Sequence, residues 1–327
     1  MDPRPITPGP SHRSPVAQRN GPLADALDTG ALPLDGGLSD ALAAAGAELS
    51  GPLWTARLLL EEPAAVTAAH DAFLAVGARV LTTAGYQLSP EGLTRRGLTA
   101  TRAAAVAARA TELAREAARR HPERVWVAAS VGPLGAVRAD GGEYRGRYGL
   151  TEAELVRFHR PRIEAAAAGR PDVLALETVP DVVEARAMLT AAARVDVPVW
   201  LSYTVADGRT RAGQSLTEAF AVALGHPRVI AVGVNCCAPA EVAPALRVAA
   251  AVTGLPGVAY PNSGERWDAE RGWHGSAVPT ADAVAAWYAA GARLIGGCCR
   301  VGPARLAPVA AAVRDLGAPP TGAGLRG

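Results

Sequence analysis

The chain contains no lysine: all 33 of its basic residues are arginine. That excludes a Schiff-base lysine, a pyridoxal phosphate anchor and a phosphate-loop lysine. The skew accompanies abundant Ala, Gly and Pro and reads first as biased nucleotide composition. Aromatic residues make up only 5%, which disfavours an aromatic cage for a quaternary ammonium. An excess of one charge is missing too. The formal net charge is +2, so no basic field awaits nucleic acid or an anionic membrane. No charge-free apolar stretch reaches the roughly 18 residues of a membrane-spanning helix. Cysteine is rare, with four in 327 residues, and these do not form a disulfide framework. In a large cytosolic chain such thiols bind metal or do chemistry. The first 22 residues are rich in Pro, Arg and Ser and lack the apolar core of a secretory signal. The expected organisation is a disordered leader over 1–28, one domain over 29–317 and a flexible tail over 318–327, in a cytoplasmic protein.

What is present is alternation. Eight short apolar runs recur: Ala31–Gly36, Ala78–Ala84, Val125–Val131, Val173–Val179, Pro198–Val205, Val229–Cys236, Pro256–Asn262 and Arg293–Cys299. Between them lie Ala-rich segments with apolar residues at spacings of three and four, such as Leu93–Arg120, Glu152–Ala168 and Glu241–Val252. Near-continuous apolar strands alternating with helices predict a parallel sheet covered on both faces. Eight such units favour closure into a single (β/α)₈ TIM-type barrel, an α/β fold whose strand C-termini share one mouth. An open doubly wound sheet fits less well, because no Gly-x-Gly-x-x-Gly follows the first strand. Segments 132–148, 207–214 and 265–278 are polar and glycine-containing and are expected as mouth loops.

Three cysteines close apolar runs: Cys236 ends Val229-Ile-Ala-Val-Gly-Val-Asn-Cys, and Cys298 and Cys299 end Ala292-Arg-Leu-Ile-Gly-Gly-Cys-Cys. A barrel mouth can bring those two strand ends together, and three thiolates there make an open zinc site with one vacant position. Adjacent strand residues point to opposite faces, so Cys298 and Cys299 cannot both ligate from regular β structure. Gly296-Gly297 is expected to let the backbone turn and aim both sulfurs inward. Cys237 directly follows Cys236 and is expected to point away, as a buried small hydrophobe.

Acidic and amide residues at strand ends form the second set. Asp35 ends the first run and Glu177 lies near the end of the fourth. A buried carboxylate needs a cation. An amino-acid ammonium or a structural arginine would both serve. Asn235, Asn262 and Ser263 could bond to substrate or metal ligands, or could cap the following helices. Trp54 and Tyr86 could stack on a cationic ligand or simply pack. The six histidines show no metal-ligand spacing with one another.

The segments LPLDGGLSDAL, PLWTARLL, SVGPLGA, EYRGRY, FHRPR, LALETVP, GVNCC, YPNSGE and GARLIGGCCR resemble the homocysteine S-methyltransferases, from about Leu32 to Leu316. The resemblance is to the short branch that uses S-methylmethionine or S-adenosylmethionine. It implies a zinc-dependent barrel with one Zn²⁺ per chain, held by Cys236, Cys298 and Cys299. It also implies that Asp35 and Glu177 hold the homocysteine ammonium, that the Gly36-Gly37 backbone lies near this substrate, and that Trp54 lies near the methyl donor. Many members read DGGLATEL, and here the Glu position is Ala41. The chain is too short for the folate and cobalamin modules of the large methionine synthases.

The expected reaction is methyl transfer from a sulfonium to the homocysteine thiol, with small-molecule partners only and no catalytic residue beyond the metal centre. Betaine as donor or selenocysteine as acceptor are rivals on the same site. Thr178 follows Glu177 where an aromatic would suit betaine. A non-catalytic rival makes the cysteines a closed structural zinc site or redox cluster, which needs Cys237 as fourth ligand. Monomer and homo-oligomer both stay open.

Overall fold

In the computed structural model, residues 21–49, 55–95, 97–268, 272–278 and 280–316 are described. The eight barrel strands, numbered in chain order, are β1 (Leu32–Pro33), β2 (Val80–Thr82), β3 (Trp126–Val131), β4 (Val173–Val179), β5 (Val199–Tyr203), β6 (Val229–Asn235), β7 (Gly257–Tyr260) and β8 (Ala292–Ile295). Every neighbouring pair from β2 through β8 is parallel, and β8 pairs with β1. The ring closes where Leu34 bridges Val80 and where Asp35 N donates to Val80 O at 3.0 Å. The sheet is therefore the (β/α)₈ barrel that the alternation requires.

Helices fill every interval between strands. The longest is Ala100–Arg120, followed by Glu152–Ala168 and Pro239–Thr253, and Pro303–Asp315 closes the described chain. Side-chain caps start several of them. Thr151 and Glu154 form a reciprocal capping box, and Asp181 and Ser215 each accept from an N-terminal amide. Two mouth segments expected as loops are short hairpins instead: Val205–Ala206 with Arg209–Thr210, and Arg266–Asp268 with Gly272–His274. No helix among the described residues is long and apolar enough to cross a membrane.

Period-two alternation sorts the strand residues into two layers. Leu174, Leu176, Leu201, Val232 and Val234 face the helices, whereas Trp126, Ala128, Val173, Ala175, Trp200, Ala231, Val258 and Leu294 fill the barrel interior. Large and small residues interlock there. Gly233 takes the extreme position, since a Cβ would meet Val258 O at 1.9 Å. The interior cluster also contains Leu23 and Leu27 from the helix Gly21–Thr29. This corrects the expected leader: residues 21–28 are folded, because their two leucines bury against the barrel. Residues 1–20 and the expected tail over 318–327 lie outside the described residues.

Candidate metal centre

Three departures from regular strand geometry build the mouth. Cys236, at the end of β6, adopts φ 50°, a left-handed conformation unusual for a residue with a side chain. Asn235 before it keeps the inward phase of its strand. The left-handed turn then brings the next side chain inward as well. Thr178 at the end of β4 (φ 56°) and Arg300 after the cysteine pair (φ 65°) are left-handed too. Gly296 and Gly297 are not, which corrects the expected reason for them. They are glycine for space: a Cβ at Gly296 would meet Asp35 O at 2.5 Å, and one at Gly297 would meet the Val301 side chain at 2.3 Å.

The result is a cluster of three free thiols. Cys236 Sγ lies 2.9 Å from Cys298 Sγ and 3.6 Å from Cys299 Sγ, and all three sulfurs fall within 4.8 Å of one another. A disulfide would need about 2.05 Å. Tetrahedral bonds of about 2.3 Å to one ion place sulfurs roughly 3.8 Å apart. Hydrogen bonds from Cys298 and Cys299 pull the Cys236 thiol well below its ordinary pKa, and those same bonds, with burial and the Cys236 charge, push theirs up. A second and third thiolate therefore require a cation. The donor set fits a soft or borderline divalent metal, and the three sulfurs can hold a metal ion. Cys237 is 1% exposed and packs in the strand–helix core, outside the cluster. A closed four-thiol site is thereby excluded.

Asp35 and Glu177 are both buried beside the cluster. Asp35 accepts from Thr82 N at 2.7 Å and from Thr82 Oγ1 at 2.9 Å. Glu177 accepts from Tyr260 OH at 2.9 Å and from Ser130 Oγ. Among the described residues neither carboxylate has an arginine partner, so the structural ion pair is not what holds them. Burial raises the Asp35 pKa well above the usual carboxylate range despite the Thr82 bonds, and the Glu177 charge adds to the rise. Burial likewise pushes Glu177 up to about 7. Two desolvated carboxylates without a fixed cation form an acceptor for a mobile one.

Asn235 spends its amide inside the protein. Its Oδ1 accepts from Thr178 N at 2.7 Å and from Ser202 Oγ at 2.8 Å, and its Nδ2 donates to Thr178 Oγ1 at 2.7 Å. It thus clamps the turn after Glu177. Asn262 Oδ1 accepts from Cys299 N at 3.2 Å, and Ser263 N donates to Cys299 O at 3.1 Å. None of the three caps a helix. Gly36 and Gly37 pack on the cysteine turn, where Cβ atoms would meet Val301 O at 2.1 Å and Cys298 O at 2.7 Å. Tyr86 is half-buried and bonds to Thr178, and desolvation raises its pKa. Trp54 lies outside the described residues, and Ala41 is a buried core residue.

Sequence reasoning missed Ser130, Thr82, Tyr260 and Tyr144. The first three follow from strand phase: Ser130 and Tyr260 join Glu177, Ser202 and Asn235 in one inward polar tier above the apolar interior, and Thr82 shares the inward phase of Val80. Tyr144 had no such signal. Its hydroxyl reaches Cys236 Sγ at 3.6 Å from the loop after β3, and Arg211, directly after the hairpin strand Arg209–Thr210, stands 5.4 Å over its ring. Behind that loop, a buried trio fixes the scaffold. Glu184 accepts from Leu134 N at 2.6 Å and meets His159 Nε2 at 2.9 Å, while Arg162 donates to the carbonyls of Gly132, Tyr86 and Leu88.

Fold and site together define a (β/α)₈ barrel with a three-thiol, two-carboxylate mouth. The chain belongs to the homocysteine S-methyltransferase family, whose sequence profile matches residues 32–313. A homocysteine S-methyltransferase of Escherichia coli is 40% identical over 308 residues, spanning 90% of this chain and 99% of its own. One from Zea mays is 41% identical over 304 residues, spanning 86% of this chain and 89% of its own. The crystal structure of the metallated form of the Escherichia coli homocysteine methyltransferase MmuM superposes with a TM-score of 0.79 at 38% identity. It covers 89% of this chain and 99% of that one.

Proposed function

We propose that this protein methylates the sulfur of L-homocysteine, giving methionine, with a sulfonium such as S-methylmethionine or S-adenosylmethionine as donor. The observation that carries the reading is the convergence of Cys236, Cys298 and Cys299 within 4.8 Å from two distant strand ends. These residues would hold one Zn²⁺, which when bound strips the proton from a thiol and keeps it as a nucleophilic thiolate at neutral pH. Three sulfur ligands, rather than neutral imidazoles, leave the centre electron-rich.

The protein's own residues do the rest. Asp35 and Glu177 receive the homocysteine ammonium. On binding, the neighbouring cation draws the proton off Glu177, which is otherwise retained to about pH 7. Ser130, Tyr260 and Thr82 fix the two carboxylates, so little reorganisation accompanies binding. Asn262 and Ser263 hold the Cys299 backbone in place from both sides. In the transfer itself, a sulfur lone pair forms the new S–CH₃ bond as the donor's C–S⁺ bond breaks. The donor leaves as a neutral thioether, so opposite charges cancel along the reaction path. Burial around the mouth strengthens the attraction between the anionic centre and the cationic donor.

The test incubates zinc-loaded protein with homocysteine and each donor in turn and measures methionine, beside a Cys298→Ala control and a zinc determination. Methionine above the control with one zinc per chain is the expected result. No methionine from any sulfonium would refute the reading.

A further inference from the structure

A second polar concavity lies next to the thiols and plays no part in the chemistry above. Immediately past Cys299 the chain turns through Arg300, and Arg300, Gly302, Ala304, Arg305 and Asp40 line a cavity of about 280 Å³. That is close to the lower end of the roughly 300–1,000 Å³ typical of small-ligand sites. Opposite charges face the same space: Asp40 from the helix Leu38–Ala44 and Arg305 from the first turn of Pro303–Asp315.

Both charges are held in place. Asp40 Oδ2 accepts from Arg300 N at 2.8 Å. Room for its carboxylate exists only because residue 37 is glycine, where a Cβ would meet that oxygen at 2.2 Å. Arg305 Nη1 donates to Glu265 Oε2 and to Arg300 O, each at 3.0 Å. Those contacts occupy Nη1 and leave Nε and Nη2, which make no hydrogen bond among the described residues, as a fork matched to a carboxylate. The helix bearing Arg305 begins at Gly302 without a side-chain cap, which adds the positive end of its dipole. Asp40 bonds the amide that follows Cys299, and its Oδ2 and Cys298 O both lie against Gly37, which places the cavity beside the cysteine turn.

We propose that this cavity binds the zwitterionic head of an α-amino acid, Asp40 taking the ammonium and Arg305 the carboxylate, and that this amino acid is the sulfonium methyl donor. The proposal rests on the thiol cluster being the methyl-transfer centre. Homocysteine carries the same head group, but its ammonium is already provided for by Asp35 and Glu177. A second zwitterion site one residue from Cys299 therefore serves the other substrate. It makes the enzyme select donors derived from an amino acid over simple sulfonium ions.

Wild type, Asp40→Asn, Arg305→Met and Arg305→Lys are compared. Calorimetry measures S-methylmethionine binding to each, and methionine formation is assayed with S-methylmethionine and with trimethylsulfonium. Asp40→Asn and Arg305→Met should each weaken S-methylmethionine binding and raise its KM about tenfold or more, the scale of a hydrogen bond to a charged group. Arg305→Lys, which keeps the charge but not the fork, should fall between. The KM for homocysteine should stay within about twofold, and Arg305→Met should leave trimethylsulfonium turnover nearly unchanged. Unchanged S-methylmethionine affinity in both Asp40→Asn and Arg305→Met overturns the proposal, as does a rise in the homocysteine KM in place of the donor's. If wild type makes no methionine from any donor, the methyl-transfer reading fails, and the calorimetric comparison still decides the cavity.

Discussion

The two ends of the barrel use one alternation to opposite ends. At the N-terminal end, Leu23 and Leu27 join Trp126, Val173, Trp200 and Ile230 in an apolar plug whose members are at most 5% exposed. At the C-terminal end the same inward phase carries Ser130, Glu177, Ser202, Asn235 and Tyr260. There the backbone turns left-handed at Thr178 and Cys236, and two carboxylates are buried without a fixed counter-ion among the described residues. The plug is stability with no chemistry. The mouth carries strain, buried charge and crowded thiols, and so lowers stability where a ligand can restore it.

Changes at the mouth should therefore abolish function while leaving the fold, and changes at the plug should do the reverse. The largest effect is expected for Cys298→Ala. Activity should drop by more than about a thousandfold and bound zinc should be lost, with the thermal midpoint of the metal-free protein little changed. Metal analysis, methionine assay and calorimetry check this together. Loss of folding in that variant would mean that the cluster is structural.

Asp35→Asn and Glu177→Gln should raise the homocysteine KM by about tenfold or more, since each removes a charged partner of the ammonium. Glu177→Gln should at the same time stabilise the ligand-free protein above pH 7. The native chain holds the Glu177 proton to about pH 7, against 4.5 for an ordinary glutamate. Between those values the folded state binds more protons than the unfolded one, so stability falls as pH rises. The loss is complete above about pH 7 and is on the order of 3 kcal/mol. Urea unfolding at pH 5 and pH 8 measures it, and a Glu177→Gln protein with an undiminished slope would assign the loss elsewhere. The same shift predicts proton release on homocysteine binding near pH 6, read as a buffer-dependent heat.

At the opposite end, Leu27→Ala should cost about 2–5 kcal/mol of stability without altering either KM. A changed KM there would show that plug and mouth are coupled. The smallest effect is expected for Thr151→Ala, which removes a capping box for about 1 kcal/mol and should leave turnover unchanged.

Much of this was legible in the sequence because it is periodic or local. Eight apolar runs separated by helix-forming segments leave little choice but a parallel barrel. The run endings placed Cys236, Cys298, Cys299, Asp35 and Glu177 at one mouth. The helix at 21–29 escaped notice because one leucine pair at a spacing of four, in nine residues next to a Pro-rich stretch, is too short a signal, and the pair is buried only against the completed barrel. Asn235 was legible as a mouth residue, but not as the clamp on Thr178, since its partners come from strands far away in the chain.

By itself, then, the order of residues determined the strand count and the chemistry gathered at the strand ends. Those follow from neighbours a few positions apart. Only the folded chain decided which thiols meet, that Cys236 turns inward by leaving the strand conformation, that Gly296 and Gly297 serve space rather than turning, and that Asp40 and Arg305 share one cavity. Apart from the Gly297–Val301 contact, these depend on the approach of segments separated by tens to hundreds of residues, and steric and electrostatic contact at that range is set by closure of the ring.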